Sequence, residues 1–184
     1  MSDKNELRKL MRAKRAQVSS ADAALASGKL LDIVQPLLLN TKNIAIYFAA
    51  GSELNLDNVI AYCLEQGNNV FAPVATHNSK TMRFEQIFDA KPRDIFYPED
   101  YELVSELKWY NLDLVLLPLV AVDTKGYRLG QGGGYYDTTF AKRERSPFLC
   151  GIGYQQQLIA DVPCEEWDLG LDYFASECQL LKFT

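Results

Sequence analysis

The sequence predicts an α/β protein: a three-layer α/β/α fold around a mostly parallel, Rossmann-like central sheet. Three observations predict it. The run IAIYFAA (44–50), the stretch Leu56 to Gln66 and the run NVFAPV (69–74) follow one another as strand, helix and strand, the order of a right-handed parallel crossover. A second apolar run, DLVLLPLV (113–120), has the Leu/Val density of a strand buried on both faces. After it come Gly130, Gly132, Gly133 and Gly134, then Tyr135 and Tyr136, which reads as a strand, a glycine loop and a helix start.

Each element has its own signal. Residues 3–18 read as a helix with Leu7, Leu10, Met11 and Val18 on its apolar face, and Lys4 and Arg8, four apart, share a face. Ser19, Ser20 and Asp22 are caps for a second helix running to Leu39, with Ile33, Val34, Leu37 and Leu38 facing inward. Gly51 and Ser52 turn the chain after the first strand, and Gly67 stops the helix that follows. MRFEQI (82–87) alternates like a half-exposed strand, while 88–111, with Pro92 and Pro98, reads as loop with a short helix. Pro118 belongs at the end of its strand, because it has no N–H for the ladder. Tyr135 to Arg145 reads as a helix, FLCGIGY (148–154) as a strand, and Tyr173 to Ala175 as the last strand before a short tail. The length of 184 residues suits a single domain, 1–184. Sites in such sheets form at the carboxyl ends of strands, here the loops after Phe48, Pro73, Val120 and Tyr154.

Composition narrows the function. Hydrophobic content of 48% with 23% charged residues is that of a soluble globular chain, and no apolar run is long enough for a membrane span. The N-terminus is too charged for a secretory signal. Cys63, Cys150, Cys164 and Cys178 lack metal-binding or redox spacing, so they read as free thiols in a reducing, cytoplasmic setting. The net charge of −5 is uneven. Residues 1–15 hold six basic side chains against Asp3 and Glu6, a net of +4, leaving about −9 on the rest. So acidic a body argues against nucleic-acid binding, while the basic start suits one compact polyanion. His77, the one histidine, has no partner at metal or triad spacing and reads as a surface residue.

The chemistry concentrates between Asp113 and Asp137. A glycine loop between a strand and a helix brings backbone N–H groups up to a phosphate. It is neither a P-loop, since no G-K-[ST] follows, nor a dinucleotide fingerprint, since Tyr135 stands where the last glycine belongs. Arg128 precedes the loop and Asp137 ends it. A carboxylate beside a phosphate calls for a cation between them, and magnesium takes one or two carboxylates together with phosphate oxygens. Asp168 and Asp172 are both candidates for the second carboxylate. Glu53 lies in a loop where ligand contacts collect, and Phe48, Tyr135 and Tyr136 adjoin the site as platforms for a flat ring.

These residues resemble the signature of the 5-formyltetrahydrofolate cyclo-ligase (5,10-methenyltetrahydrofolate synthetase) family. Pro118, Asp123, Gly126, Arg128, Leu129, Gly130, Gly132, Gly134, Tyr135, Tyr136 and Asp137 match P-x-x-x-x-D-x-x-G-x-R-L-G-x-G-x-G-Y-Y-D. Lys4 and Arg8 match an N-terminal K-x-x-x-R, and Glu53 a glutamate after the first strand. Gly151, Tyr154, Gln157, Pro163, Asp168 and Asp172 match the family's end. Trp167 departs from it, standing where many relatives carry histidine.

The resemblance implies ATP- and Mg2+-dependent cyclisation of 5-formyltetrahydrofolate to 5,10-methenyltetrahydrofolate, with release of ADP and phosphate. It implies that Arg128 and Tyr135 are catalytic. ATP is expected on Lys4, Arg8, Arg128, Leu129, Gly130, Gln131, Gly132, Gly133, Gly134, Tyr135 and Tyr136. The folate is expected on Phe48, Glu53 and residues Gln131 to Tyr135, and the metal on Asp137 and Asp172. A cytoplasmic monomer is expected, with no nucleic-acid or membrane partner. Two other readings compete: a non-catalytic nucleotide- or folate-binding module, and a sugar-phosphate isomerase or acyl-CoA transferase on a related fold. ATP dependence separates the enzymes.

Overall fold

A computed structural model describes residues 4–75, 78–91 and 105–183, so the reading of His77 and much of that of 88–111 lie outside the described residues. Two helices open the chain, α1 (Lys4–Arg15) and α2 (Ser20–Leu38), followed by β1 (Asn43–Ala45), α3 (Asp57–Glu65) and β2 (Asn69–Val74). Next come β3 (Arg83–Ile87), β4 (Glu106–Leu107), β5 (Leu114–Pro118), β6 (Ala121–Asp123) and β7 (Arg128–Leu129). The last elements are α4 (Tyr135–Phe140), β8 (Phe148–Ile152), β9 (Leu158–Ile159), β10 (Tyr173–Ala175) and β11 (Leu180–Lys182).

Eight strands form the main sheet in the order β11-β10-β8-β5-β1-β2-β3-β4. From β10 to β2 all neighbours are parallel, and antiparallel strands extend the sheet at both edges: β11 on β10, and β3 and β4 beyond β2. The mostly parallel α/β architecture is therefore the one observed. The chain read as a short tail is the edge strand β11. Pro118 closes β5, where a missing N–H breaks no ladder bond.

Side chains alternate between the two faces. Ile44, Val70, Leu114, Leu116, Cys150 and Ile152 pack under α2 and α3 with Leu30, Val34 and Ile60. Ala45, Phe71, Val115, Leu117, Leu149 and Phe174 face the other way, onto Phe140 of α4 and Leu171. This second layer is thin, because α4 ends at Phe140 rather than Arg145. Beyond it Arg143 N–H donates to Phe140 O at 2.9 Å in a closing turn, and its side chain reaches Pro147 O and Asp172.

A separate three-stranded sheet, β7-β6-β9, follows β5 and carries α1 on Met11, Val120, Ala121, Leu129 and Val162. The buried stripe of α1 differs from the expected one. Leu10 is exposed, whereas Met11 and Arg15 are buried; Lys4 reaches Asp168, Arg8 reaches Gly130 O on the glycine loop, and Arg15 reaches Ser52. Ser19 caps α2 as its sequence suggests, its Oγ accepting from Asp22 N–H at 3.1 Å.

Candidate active site

The glycine loop is entered through a tight turn fixed by Asp123. This fully buried carboxylate accepts from Lys125 N–H at 2.9 Å and Tyr127 N–H at 3.0 Å through Oδ1, and from Val162 N–H at 3.2 Å through Oδ2. Its place in the signature is therefore explained by the turn it holds. After β7 the chain passes residues 130–134 into α4. Gly134 adopts φ +74° and hands the chain to the helix, a left-handed conformation that a side chain would strain. At Gly133 the constraint is space: a Cβ would lie 2.9 Å from Cδ2 of Tyr135, whose ring packs on the loop. The N–H groups of Gly132, Gly133 and Gly134 donate to nothing among the described residues.

Cations surround this loop. Arg8 Nε donates to Gly130 O at 2.9 Å, and Arg12 holds Gln131 twice, through the side-chain oxygen at 3.0 Å and the backbone carbonyl at 2.9 Å. Lys4 Nζ pairs with Asp168. Arg128 is buried, donates to Asp137 Oδ1 at 2.8 Å and lies 5.7 Å from the centre of the Tyr136 ring. Its Nε is buried without a hydrogen-bond partner among the described residues, an open donor in a site otherwise well satisfied.

On the other side of the loop stands Glu53. Its Oε1 accepts from Gln131 Nε2 at 2.8 Å and lies 3.9 Å from Arg15 NH1, while Oε2 accepts from Ala50 N–H at 3.1 Å. Burial raises the Tyr47 phenol well above its ordinary value, and the Glu53 charge adds to it. Tyr136 is likewise raised by burial and by Glu53, with Arg128 opposing. Both phenols stay protonated and serve as packing groups. Phe48 is half-buried against the core under α2 and α3, so part of its ring is already committed to packing.

Two clefts flank the Gln131–Glu53 bond. One of about 520 Å³ is lined by Asn5, Arg8, Lys9, Arg12, Gln131 and Gly132; the other, of about 350 Å³, includes Ser27, Glu53, Asn55, Asp57 and Tyr154. The first is strongly basic and the second acidic.

The expected pairing of Asp137 with Asp172 does not form. Asp172 sits at the amino ends of β8 and β10, where its Oδ2 accepts from Leu149 N–H at 2.7 Å and Arg143 NH1 at 2.8 Å. A charge so fully engaged ties two strands together. Asp168 precedes Leu169, whose N–H donates to Asp137 Oδ1 at 3.2 Å, and its own Oδ2 accepts from Lys4 Nζ and from Glu165 N–H at 2.8 Å. Among the described residues no group of three or more His, Cys, Asp or Glu side chains is placed to hold a metal. The donors fit a hard cation that takes two carboxylates and completes its shell with phosphate oxygens and water.

Sequence reasoning missed two residues of the site, Arg12 and Arg15, and matched Gln157 to the family's end without giving it a role. Arg15 is buried and reaches Ser52 Oγ at 3.1 Å and Leu119 O at 3.3 Å, besides facing Glu53. Arg12 grips Gln131. Gln157, fully buried, staples the end of β5 to the loop after β8 by donating to Leu119 O at 2.8 Å and Val120 O at 3.0 Å. The one available signal was spacing: Arg8, Arg12 and Arg15 follow Lys4 down one side of α1. Trp167, the departure from the family pattern, is exposed.

A parallel α/β sheet whose carboxyl edge carries an arginine-flanked glycine loop defines a phosphate-handling enzyme. The comparisons make this specific. The model of the 5-formyltetrahydrofolate cyclo-ligase family matches residues 1–176. A 5-formyltetrahydrofolate cyclo-ligase of Haemophilus influenzae is 33% identical over 136 residues, covering 71% of this chain and 73% of that protein. A probable 5-formyltetrahydrofolate cyclo-ligase of Caenorhabditis elegans is 28% identical over 198 residues, covering 98% and 95%. Among solved structures, the 5,10-methenyltetrahydrofolate synthetase of Aquifex aeolicus superposes with a TM-score of 0.79 at 25% identity, covering 97% of this chain and 92% of that one. The synthetase of Mycoplasma pneumoniae gives 0.75 at 26% identity, covering 95% and 99%. The chain belongs to the 5-formyltetrahydrofolate cyclo-ligase family. It is a ligase of folate one-carbon metabolism, and its reaction is the ATP-dependent conversion of 5-formyltetrahydrofolate to 5,10-methenyltetrahydrofolate.

Proposed function

We propose that the reaction runs through phosphorylation of the formyl oxygen, with ATP in the basic cleft and the folate in the cleft that holds Glu53. The observation that carries this reading is the glycine loop standing between the two clefts, with Gln131 tied to Arg12 on one side and to Glu53 on the other.

The chemistry requires activation. The formyl oxygen on N5 is an amide oxygen and a poor leaving group. It attacks the γ-phosphorus, an O–P bond forms, the bond to the bridging oxygen breaks, and ADP departs. N10 then adds to the formyl carbon of the iminium phosphate, loses its proton, and inorganic phosphate leaves with the oxygen. The first step calls for positioning and charge stabilisation rather than a general base.

The site residues divide accordingly. Lys4 and Arg8 hold the ATP phosphates, and Leu129, Gly130, Gln131, Gly132, Gly133 and Gly134 line them with backbone groups. Arg128 is the catalytic cation for the transferring group, its unsatisfied Nε being a donor in reserve. Tyr135 packs beside the reacting end and Tyr136 backs Arg128. Glu53 accepts hydrogen bonds from the pterin amino and ring N–H groups, and Phe48 lends its half-exposed ring edge. Asp137 and Asp168 would hold Mg2+, which would supply neutralisation of phosphate charge. We further take 1–184 as one functional unit and the cytoplasm as its location, a reading supported by four free cysteines. Among the described residues no helix is long and apolar enough to cross a membrane.

The test is to mix the protein with 5-formyltetrahydrofolate, ATP and Mg2+ and follow the near-ultraviolet absorbance of the methenyl product. Growth of that band only with ATP supports the reading. A stable complex with no product would point to a binding module instead.

A further inference from the structure

A cation that sequence reasoning passed over borders the same loop. Lys80 lies between β2 and β3, in the chain that leaves the carboxyl end of β2. Its Nζ comes within 3.7 Å of the point a Cβ would occupy on Gly134, with Cδ at 3.9 Å. The approach is possible because Gly134 has no side chain.

The position of Lys80 is built. Ser79 Oγ accepts from Thr81 N–H at 3.2 Å, which turns the loop at Lys80. Two residues on, Met82 N–H donates to Thr139 Oγ1 at 2.9 Å, and that hydroxyl donates to Tyr135 O at 2.7 Å. Met82 itself is buried in the core beneath Phe140. The loop is thus fastened to the side of α4, and Lys80 is carried over the end of the glycine loop.

Its electrostatic state differs from that of its neighbours. Lys4 is engaged by Asp168, Arg8 by Gly130 O, Arg12 by Gln131 and Arg128 by Asp137. Lys80 is exposed and has neither a hydrogen bond nor an ion pair among the described residues. Arg8 approaches the loop two residues earlier, its guanidinium carbon 3.7 Å from the corresponding point on Gly132. A phosphate chain lying over residues 132–134 would have a guanidinium at one end and an ammonium at the other.

We infer that Lys80 is a further phosphate-binding residue of this active site, contacting a non-bridging oxygen of the ATP triphosphate from the Gly134 side. The inference rests on the reading above that ATP lies along the glycine loop. An ammonium there is a point charge on a flexible stem, suited to follow charge as it moves onto the departing diphosphate.

The experiment compares wild type, Lys80→Ala and Lys80→Arg in the methenyl-formation assay, with KM measured separately for ATP and for 5-formyltetrahydrofolate. ADP affinity without folate is measured by calorimetry. The expected result is a fall of roughly tenfold or more in kcat/KM for ATP in Lys80→Ala. KM for the folate stays within about twofold, ADP binding weakens, and Lys80→Arg restores most of the loss. A side chain that merely shaped the loop would not be rescued by Arg. Unchanged ATP kinetics in Lys80→Ala, or a rise confined to the folate KM, would overturn the inference. Wild type that forms no methenyl product would instead sink the reaction scheme, so the two failures are distinguishable.

Discussion

Gln131 Nε2 donates to Glu53 Oε1 at 2.8 Å, so the loop that faces the basic cleft is fastened to the carboxylate of the other cleft. On the proposed reading, the donors of a pterin would share or replace that bond. Glu53→Gln removes the anion and turns one acceptor into a donor beside Gln131. A lost charge-assisted hydrogen bond is worth about 1.5–3 kcal/mol, which corresponds to a rise of roughly ten- to a hundredfold in KM for 5-formyltetrahydrofolate. KM for ATP is expected to stay within about twofold. An equal rise in both constants would mean that Glu53 acts only by tethering the loop.

Arg128, buried, pairs with the partly exposed Asp137, and Lys is no substitute for the guanidinium there. Arg128 uses NH2 on Asp137, lies over the Tyr136 ring and keeps a buried Nε without a partner among the described residues. An ammonium provides a charge but neither the fork nor the plane. Arg128→Lys is therefore expected to fold, as judged by circular dichroism, and to lose about a hundredfold or more in kcat. Activity within a few-fold of wild type would remove Arg128 from the transferring group.

Asp168 and Asp172 separate a site role from a structural one. Asp172→Asn weakens the bonds to Leu149 N–H and Arg143, and leaves the Arg143 guanidinium, whose Nε is already buried without a partner among the described residues, poorly compensated. The expected cost is about 1.5–3 kcal/mol of stability with no change in the Mg2+ concentration giving half-maximal rate. Asp168→Asn breaks a partly exposed pair with Lys4, worth under about 1 kcal/mol, and should raise that Mg2+ midpoint severalfold. Thermal unfolding and Mg2+ titration of the two variants decide it; the opposite pattern would return Asp172 to the metal.

Those aspartates also mark how far the sequence can be read. The parallel core was legible because apolar runs such as 113–120 announce doubly buried strands, and Gly67 and Ser19 punctuate helices by local chemistry. The glycine loop was legible because its backbone geometry needs particular residues at consecutive positions. Contacts between distant segments were not. Asp168 and Asp172 look alike in sequence, and only the parallel pairing of β8 with β10 puts Asp172 next to Leu149. Leu10 was misread because α1 rests on a small sheet, made of β6, β7 and β9, whose strands are too short to carry a pattern of their own. Arg15 and Lys80 escaped notice for the same reason: their neighbours arrive from elsewhere in the chain.

Buried acids that stay protonated make the fold sensitive to alkali. Burial pushes the Cys63 thiol from an ordinary 9.0 up to about 12. Burial also raises Cys150, with Asp172 adding to it, and raises Tyr47, Tyr136 and Tyr154. Each folded-state value lies above the unfolded one, so unfolding releases protons once the pH passes the unfolded values, 9.0 for the thiols and 10.0 for the phenols. This stabilisation is complete below pH 9.0 and is lost progressively as pH rises towards the folded values, about 12 for Cys63. The urea midpoint is thus expected to be insensitive to these groups from about pH 7 to 8.5 and to fall steeply above about pH 9.5. Iodoacetamide at about pH 8.5 should modify the exposed Cys164 and Cys178 and spare Cys63 and Cys150 until the chain unfolds. Rapid labelling of Cys63 in the folded protein, or a urea midpoint that stays level to about pH 11, would contradict the burial of these groups.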